Sequence, residues 1–241
     1  MRRRKNILLD DLAKDIAVKE YTRKEVIMPR ADFERNLQQV QDDIVQLSSM
    51  VEKAILKSVE ALKSRDLKLS EQVIKEDDAI DRYQERIEEL CIDMIALEAP
   101  MAGDLRVIIT VLMVASELER MGDYAEGIAK LSLAMGDAPP LKPLIDIPRM
   151  MDRAIHMLKH GIESFINKDA DMARKVIESD DEIDDLYEQI YRELLTYMMA
   201  DPTTIERATY LLWVSHDLER VADRATNIAE RVIYLATGKL I

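Results

Sequence analysis

The chain contains an internal duplication whose repeated segments have the apolar spacing of α-helices. Residues 73–81 and 176–184 share the pattern Val-Ile-x-x-Asp-Asp-x-Ile-Asp, and residues 118–123 and 218–223 share Leu-Glu-Arg-x-x-Asp. The first two segments are separated by 103 residues and the second two by 100, so both copies keep nearly the same register. A chain that repeats itself in this way is expected to fold into two units of one architecture.

Helix-forming residues dominate both copies. Aromatic residues make up only 5% of the chain and glycine is scarce, which favours helices over strands. Apolar residues recur three and four positions apart between short segments rich in Pro, Gly or Asp. Asp66 and Asp169 follow polar breaks and are expected to cap the helices that begin after them. We therefore predict an all-α protein with six long helices, at about 32–64, 67–97, 104–134, 148–166, 170–199 and 203–236.

The duplication and the breaks together predict two tandem three-helix bundles. We assign the first unit to residues 28–137 and the second to residues 148–241, joined by a proline-rich linker at residues 138–147. With 48% hydrophobic residues, the chain can bury a sizeable core, and its length suits one large domain or two fused units, of which the duplication favours two. Residues 1–27 have no counterpart in the second copy. We expect this N-terminal extension to be helical or disordered, and we assign it no function.

Charge and cysteine content exclude several classes of protein. The net charge of −13 argues against nucleic-acid binding, which requires concentrated Lys and Arg. No run of 18 or more apolar residues occurs, so no membrane-spanning helix is expected, and the basic start of the chain lacks the apolar core of a signal peptide. Cys91 is the only cysteine, which rules out an intrachain disulfide and a thiolate zinc site. These features predict a reducing, cytoplasmic location.

Each copy holds two pairs of carboxylates at i, i+4 spacing, which places both members of a pair on one helix face. In so acidic a chain such pairs usually form a solvated face. A site is favoured because both pairs recur in the other copy and because the pairs border the apolar stripes of neighbouring helices. Carboxylates without Cys or His suit Mg²⁺, Ca²⁺, Mn²⁺, iron or, less characteristically, zinc. The candidate ligands are Asp77, Asp81, Glu119 and Asp123 in the first copy, and Asp180, Asp184, Glu219 and Asp223 in the second.

Residues within and around these motifs suggest supporting roles. Gly122 and Ala222 are small and would allow a helix or a ligand to approach closely. Arg120 and Arg220 follow the Glu of each motif, and we expect them to pair with a carboxylate across the seam between neighbouring helices rather than to face a partner protein.

Other chemistry is not indicated by the residues. His156 and His160 have the spacing of metal ligands, but they align with lysines in the first copy and are expected on the surface. No histidine follows a Glu by three positions, which disfavours a ferritin-like di-iron oxidase. No phosphate-binding glycine loop or nucleophile motif occurs, so we expect a protein that is not an enzyme.

Two stretches resemble the PhoU family of accessory regulators of bacterial phosphate uptake. They are residues 118–125 (Leu-Glu-Arg-Met-Gly-Asp-Tyr-Ala) and residues 218–230, and the resemblance covers about residues 28–238. The resemblance implies two tandem three-helix bundles, a cytoplasmic location and frequent homodimers. It also implies binding to the ATPase subunit of a phosphate ABC transporter and to a sensor histidine kinase, with negative regulation of uptake and of the phosphate-starvation response when phosphate is plentiful.

The same resemblance implies multinuclear iron or zinc clusters on the eight candidate carboxylates, with Asp78 and Asp181 as helpers and with no organic cofactor. This chain departs from the family pattern at Gly127, where the second copy has Asn227, so the first site is expected to be the less complete one. A metal-storage or metal-sensing bundle unrelated to phosphate is the main alternative. A metal-dependent hydrolase is less favoured, because no histidine stands near the motifs to transfer a proton.

Overall fold

The described part of the chain consists of long α-helices and one short 3-10 helix. The computed structural model describes residues 30–98 and 100–239, and these residues contain no β-strand. The all-α prediction is therefore confirmed. The helices are α1 (Arg30–Ser64), α2 (Leu67–Glu98), α3 (Ala102–Met135), α4 (Asp146–Asn167), α5 (Ala170–Glu178), α6 (Asp180–Ala200) and α7 (Ile205–Thr237), with the 3-10 helix at Pro202–Thr204.

The starts of α2 and α5 lie where the sequence places them, because a polar cap determines each. The Asp169 carboxylate accepts hydrogen bonds from the backbone N–H groups of Asp171 and Met172 at 2.9 and 3.0 Å. Asp66 accepts one from the N–H of Leu69 at 3.0 Å. Both predicted caps are confirmed, and they satisfy donors that the first turn of a helix would otherwise leave unpaired.

The single helix predicted at residues 170–199 is interrupted at Ser179. The Ser179 hydroxyl donates to the carbonyl of Lys175 at 2.7 Å, and such back-bonding bends or weakens a helix. The break gives α6 a new N-terminus with three acidic residues, 180–182, in its first turn, where the helix dipole favours negative charge. The equivalent position in α2 is Glu76, a better helix former than Ser, and α2 continues through it.

One apolar core runs through both repeats, with α3 and α7 packed together at its centre. The two helices run antiparallel. The guanidinium carbon of Arg106 lies 5.4 Å from the ring centre of Tyr234 near one end, and Gly127 approaches Asp217 nearer the other end. Because the repeats share a core, the residue boundaries assigned to them as separate domains stay predictions.

A buried lysine ties the proline-rich linker to the second repeat. Lys142 is only 5% exposed; its ammonium group pairs with Glu193 of α6 and lies 3.9 Å from Asp146 at the start of α4. Arg207 also donates to the carbonyl of Pro139 at 3.3 Å. A buried ammonium needs partners of this kind, so the linker has a defined path across the second repeat.

The contact between α3 and α7 differs on the two sides of its centre. On one side Glu117 Oε2 accepts hydrogen bonds from Arg224 Nη1 and Asn227 Nδ2, both at 3.2 Å. At the equivalent positions on the other side Asp217 faces Gly127, and its Oδ2 lies 3.0 Å from where a Cβ on Gly127 would stand. Burial raises the pKa of Asp217 to about 6. The Glu117 carboxylate is thus paired with Arg224 and Asn227, whereas the equivalent Asp217 carboxylate faces a glycine.

Two sequence-based expectations remain: that no helix spans a membrane, and that residues 1–27 are helical or disordered. None of the helices in the described ranges is both long enough and apolar enough to cross a bilayer. The expectation for residues 1–27 lies outside the described residues.

The asymmetric contact predicts opposite effects for two matched substitutions. Glu117→Gln should lower the free energy of unfolding by about 2 kcal/mol, because it leaves the largely buried Arg224 without a counter-charge. Asp217→Asn should be neutral or stabilising by up to about 1 kcal/mol at neutral pH, because it removes a desolvated charge. Urea unfolding measures both. Equal destabilisation by the two variants would contradict this account of the interface.

Candidate acidic metal centre

Three carboxylates of the first repeat converge between α2 and α3. Asp77 and Asp81 lie one turn apart on α2, Asp123 lies on α3, and one carboxylate oxygen of each lies within 4.8 Å of the other two. Glu119, the fourth predicted ligand, lies close enough to Asp81 and Asp123 for their charges to raise its pKa, after the larger effect of burial. The structure therefore brings three predicted residues together and places the fourth beside them.

A glycine allows the two helices to approach at this cluster. A Cβ on Gly122 would stand 3.1 Å from Cγ2 of Ile80 and 3.2 Å from Oδ1 of Asp77, which is tighter than ordinary van der Waals contact. Gly122 itself is buried. The side chains of α2 occupy the space above this position, and Asp77 is held against α3 as a result.

Partial burial and mutual repulsion determine the electrostatics of the first cluster. Burial raises the pKa of Asp77 to about 7, and the charges of Asp81, Glu126 and Asp123 add to the increase. Burial and acidic neighbours also raise the pKa of Asp123. Asp77 and Asp81 are half-buried and Asp123 is exposed, and like charges held this close destabilise the ionised cluster unless a proton or a cation compensates them.

Sequence reasoning missed one carboxylate at this cluster. Glu126 raises the pKa of both Asp77 and Asp123, and it pairs with Lys130 one turn further along α3 at 2.5 Å. Its spacing of three residues after Asp123 places it on the same helix face, which was an available signal. The second copy has Thr226 at this position, so comparing the copies concealed the residue.

The chemistry of the first cluster fits a cation with a preference for oxygen ligands. Asp81 Oδ1 is buried and has no hydrogen-bond partner among the described residues, although buried polar atoms are normally paired. The converging groups, Asp77, Asp81 and Asp123, are all carboxylates. A donor set of this kind suits Mg²⁺, Ca²⁺, Mn²⁺ or iron better than a metal that prefers sulfur or nitrogen.

The second repeat holds its predicted ligands in a different arrangement. Burial raises the pKa of Asp180 to about 6, and the charges of Asp184 and Asp223 contribute, so these groups are neighbours. Arg220 Nη1, however, donates to Asp223 Oδ2 at 2.9 Å. Within the described ranges, three carboxylates converge to 4.8 Å only in the first repeat. An arginine thus already neutralises one member of the second cluster.

The remaining predicted residues are the arginine of each motif and the two helper carboxylates. Arg220 pairs with a carboxylate as predicted, although the partner lies on its own helix. The equivalent Arg120 has no ion pair within 4 Å among residues 30–98 and 100–239. Asp78 and Asp181 are both exposed, and Asp181 adds to the raised pKa of Asp180.

The expectation that Gly127 leaves the first site less complete is not supported by the geometry. Its counterpart Asn227 donates to Glu117 of the other repeat, so this position belongs to the contact between α3 and α7. Because glycine has no side chain, Gly127 cannot donate the equivalent hydrogen bond to Asp217, which it faces on the other helix.

Among the described residues no histidine or cysteine joins the converging group, although His156 and His160 line a pocket with Ser179, next to Asp180. The rings of His156 and His160 stack with centres 3.9 Å apart, and His156 is exposed as predicted. Cys91 is buried, and burial raises the pKa of its thiol to about 12, which keeps the thiol protonated.

Comparison with known proteins confirms the resemblance in both repeats. A family model described as the PhoU domain matches residues 44–132 and 147–232. A phosphate-specific transport system accessory protein PhoU homolog of Aquifex aeolicus is 44% identical over 207 residues, which are 86% of this chain and 94% of that protein.

Two crystal structures are similar in fold. One is PhoU from Pseudomonas aeruginosa, with TM-score 0.82, 34% identity, and 86% of this chain and 100% of that chain covered. The other is the phosphate transport system regulatory protein PhoU from Streptococcus pneumoniae, with TM-score 0.81, 32% identity, and coverage of 87% and 99%.

The raised pKa of Asp77 predicts a pH effect on metal-free protein. Its folded-state pKa of about 7 lies above the ordinary value of 3.8, so the folded state binds more protons and stability rises as the pH falls through about 7. Because Asp77 is partly exposed, we expect a gain of about 1 kcal/mol between pH of about 8 and about 6. Denaturant unfolding should show a smaller gain in Asp77→Asn and an unchanged gain in the control Asp78→Asn. An unchanged pH dependence in Asp77→Asn would contradict the prediction.

Proposed function

This chain belongs to the PhoU family, and from this premise we propose that it is an accessory regulator of phosphate transport. The observation that carries the proposal is that the family model matches both repeats, at residues 44–132 and 147–232. The matched proteins are named as accessory or regulatory proteins of phosphate transport systems, and coverage of almost their whole length supports transfer of the role to this chain.

The chain acts as a non-enzymatic adaptor between the ATPase subunit of a phosphate ABC transporter and a sensor histidine kinase. It works in the cytoplasm as a homodimer, and it lowers uptake and starvation-gene expression when phosphate is plentiful. These details are what the family resemblance implies. An acidic chain with net charge −13 also suits contacts with basic protein surfaces.

The first acidic cluster holds the metal in this proposal. Asp77, Asp81 and Asp123 provide the ligands, with Glu119 and Glu126 beside them, and bound iron or zinc supplies the positive charge that the desolvated carboxylates lack. Support comes from the convergence of three carboxylates within 4.8 Å and from the unpaired Asp81 Oδ1. The second cluster binds metal more weakly, because Arg220 must first leave Asp223.

A metal-storage or metal-sensing bundle is the second candidate function. The same unpaired Asp81 Oδ1 favours it, because a cation site has this geometry whatever signal it serves. The two candidates differ in what controls expression, since a metal sensor should respond to iron or zinc and a phosphate regulator to phosphate.

Deletion of the gene tests the phosphate role. We expect phosphate-starvation genes to be expressed in phosphate-rich medium after deletion, and the wild-type gene supplied on a plasmid should restore repression. Transcript levels measure the effect, with iron-limited and zinc-limited cultures as controls. Unchanged starvation-gene expression together with a response to metal would contradict the phosphate role and favour the metal-sensing alternative.

Metal content tests the assignment of the first cluster. Asp123→Asn should remove more bound iron or zinc than Asp223→Asn, because three carboxylates converge in the first cluster whereas Arg220 already pairs with Asp223 in the second. Elemental analysis of the purified proteins measures the difference. No metal in the parent protein under any loading condition would contradict the proposal.

Two glycines of α3 provide a matched pair for the same measurement. Gly122→Ala should lower metal content because its Cβ would meet Asp77 Oδ1 and Ile80 at 3.1–3.2 Å. Gly127→Ala makes the same change on the same helix but contacts Asp217, so its metal content should match that of the parent. Equal loss in both variants would indicate a general effect on α3.

A further inference from the structure

Aromatic rings line one side of the second repeat between α6 and α7. Tyr187 lies with its ring centre 6.5 Å from those of both Tyr191 and His216. On α7 the rings of Tyr210 and Trp213 meet edge to face, with centres 5.8 Å apart. We call Tyr187, Tyr191, Trp213 and His216 the aromatic strip, which Tyr210 adjoins through Trp213.

The strip is open to solvent along the groove between the two helices. Trp213 is 53% exposed and Tyr191 is 39% exposed. Because α6 and α7 run antiparallel, Tyr191 and Trp213 are displaced in the same direction from the contact between Tyr187 and His216, each by about one turn. Exposed aromatic residues in one groove are typical of binding surfaces.

The strip belongs to the second repeat alone. In register with the first repeat, the positions of Tyr187, Tyr191, Trp213 and His216 are occupied by Gln84, Glu88, Met113 and Ser116. Both sequences support the same helix pair. The aromatic rings are therefore not required by the fold, and they give the second repeat a surface that the first lacks.

Carboxylates flank the strip. Glu219 lies near enough to Tyr187 to raise the pKa of the phenol, after the larger effect of burial. Glu206 accepts a hydrogen bond from the hydroxyl of Tyr210 at 3.2 Å. The cations Arg192 and Arg220 already pair with carboxylates of their own helices. The surface thus combines aromatic faces with negative charge.

This combination selects one kind of occupant. A guanidinium group stacks on the face of Tyr or Trp and pairs with a carboxylate at the same time. An uncharged apolar segment would leave the flanking carboxylates desolvated. We propose that the aromatic strip is a docking surface for a positively charged, arginine-bearing segment of a partner protein. The surface rests on the proposed adaptor function and gives the chemistry of one of its contacts.

A synthetic peptide of alternating arginine and glycine is the probe, added to the full-length protein at low salt. Trp213 is the only tryptophan of the chain, so its fluorescence reports directly on this surface, and calorimetry gives the affinity. We expect binding with a change in Trp213 emission. A lysine–glycine peptide of the same charge should bind more weakly, because an ammonium group does not stack on aromatic rings as a guanidinium does.

The matched variant carries Tyr187→Gln and Tyr191→Glu, which are the residues of the first repeat at these positions. Loss of two aromatic faces should weaken arginine-peptide binding about tenfold, although the new glutamate adds negative charge. Unchanged or tighter binding would show that charge alone attracts the peptide, and it would overturn the proposal. Circular dichroism and urea unfolding establish that the variant folds.

Three further results would also overturn the proposal. They are no binding of the arginine peptide to the parent protein, equal binding of an uncharged apolar peptide, and a smaller oligomer for the variant in light scattering, which would make a second copy of the chain the occupant. The deletion experiment measures transcript levels of phosphate-starvation genes, whereas the peptide experiment measures binding affinity. Failure of the docking surface is therefore distinguishable from failure of the phosphate role.

Discussion

The packing of α3 against α7 is the contact on which the rest of the molecule depends. Both helices bury residues on adjacent faces, as the neighbouring buried residues Val114 and Ala115 of α3 show, so each must be covered both by its own bundle and by the other repeat. Separating them would expose both halves of the core at once. The Leu-Glu-Arg-x-x-Asp segments lie on these same two helices, and the core therefore determines where their carboxylates stand relative to α2 and α6.

Features that follow from local periodicity could be predicted from the sequence, and features that depend on a single side-chain contact could not. Apolar spacing and polar caps gave the helices, and carboxylates repeated at equal spacing indicated the acidic clusters. The break at Ser179 separates α5 from α6, yet Val176 and Ile183 keep the apolar spacing across it, so periodicity does not reveal it. The two acidic motifs share Glu, Arg and Asp at the same positions. Arg220 nevertheless pairs with Asp223, whereas Arg120 has no such pair within residues 30–98 and 100–239.

The first cluster shows how converging carboxylates can weaken the protein that contains them. Asp77 is held against Gly122 by the approach of α2 to α3, which keeps its carboxylate near those of Asp81 and Asp123. Glu126 adds to the charge where the second repeat has a neutral threonine. Ligand binding that relieves such repulsion adds to the stability of the folded state, and the arginine of the second repeat provides part of that relief from within the chain.

The antiparallel contact of α3 with α7 has the geometry of an isologous dimer, in which one surface meets its own copy around a twofold axis. In such a dimer every substitution occurs twice, on both sides of the axis. Fusion of the two copies into one chain ends that restriction. Arg224 and Asn227 could then bind Glu117 on one side while glycine faces Asp217 on the other. Covalent linkage has thus let the two halves diverge in sequence while they continue to share one interface.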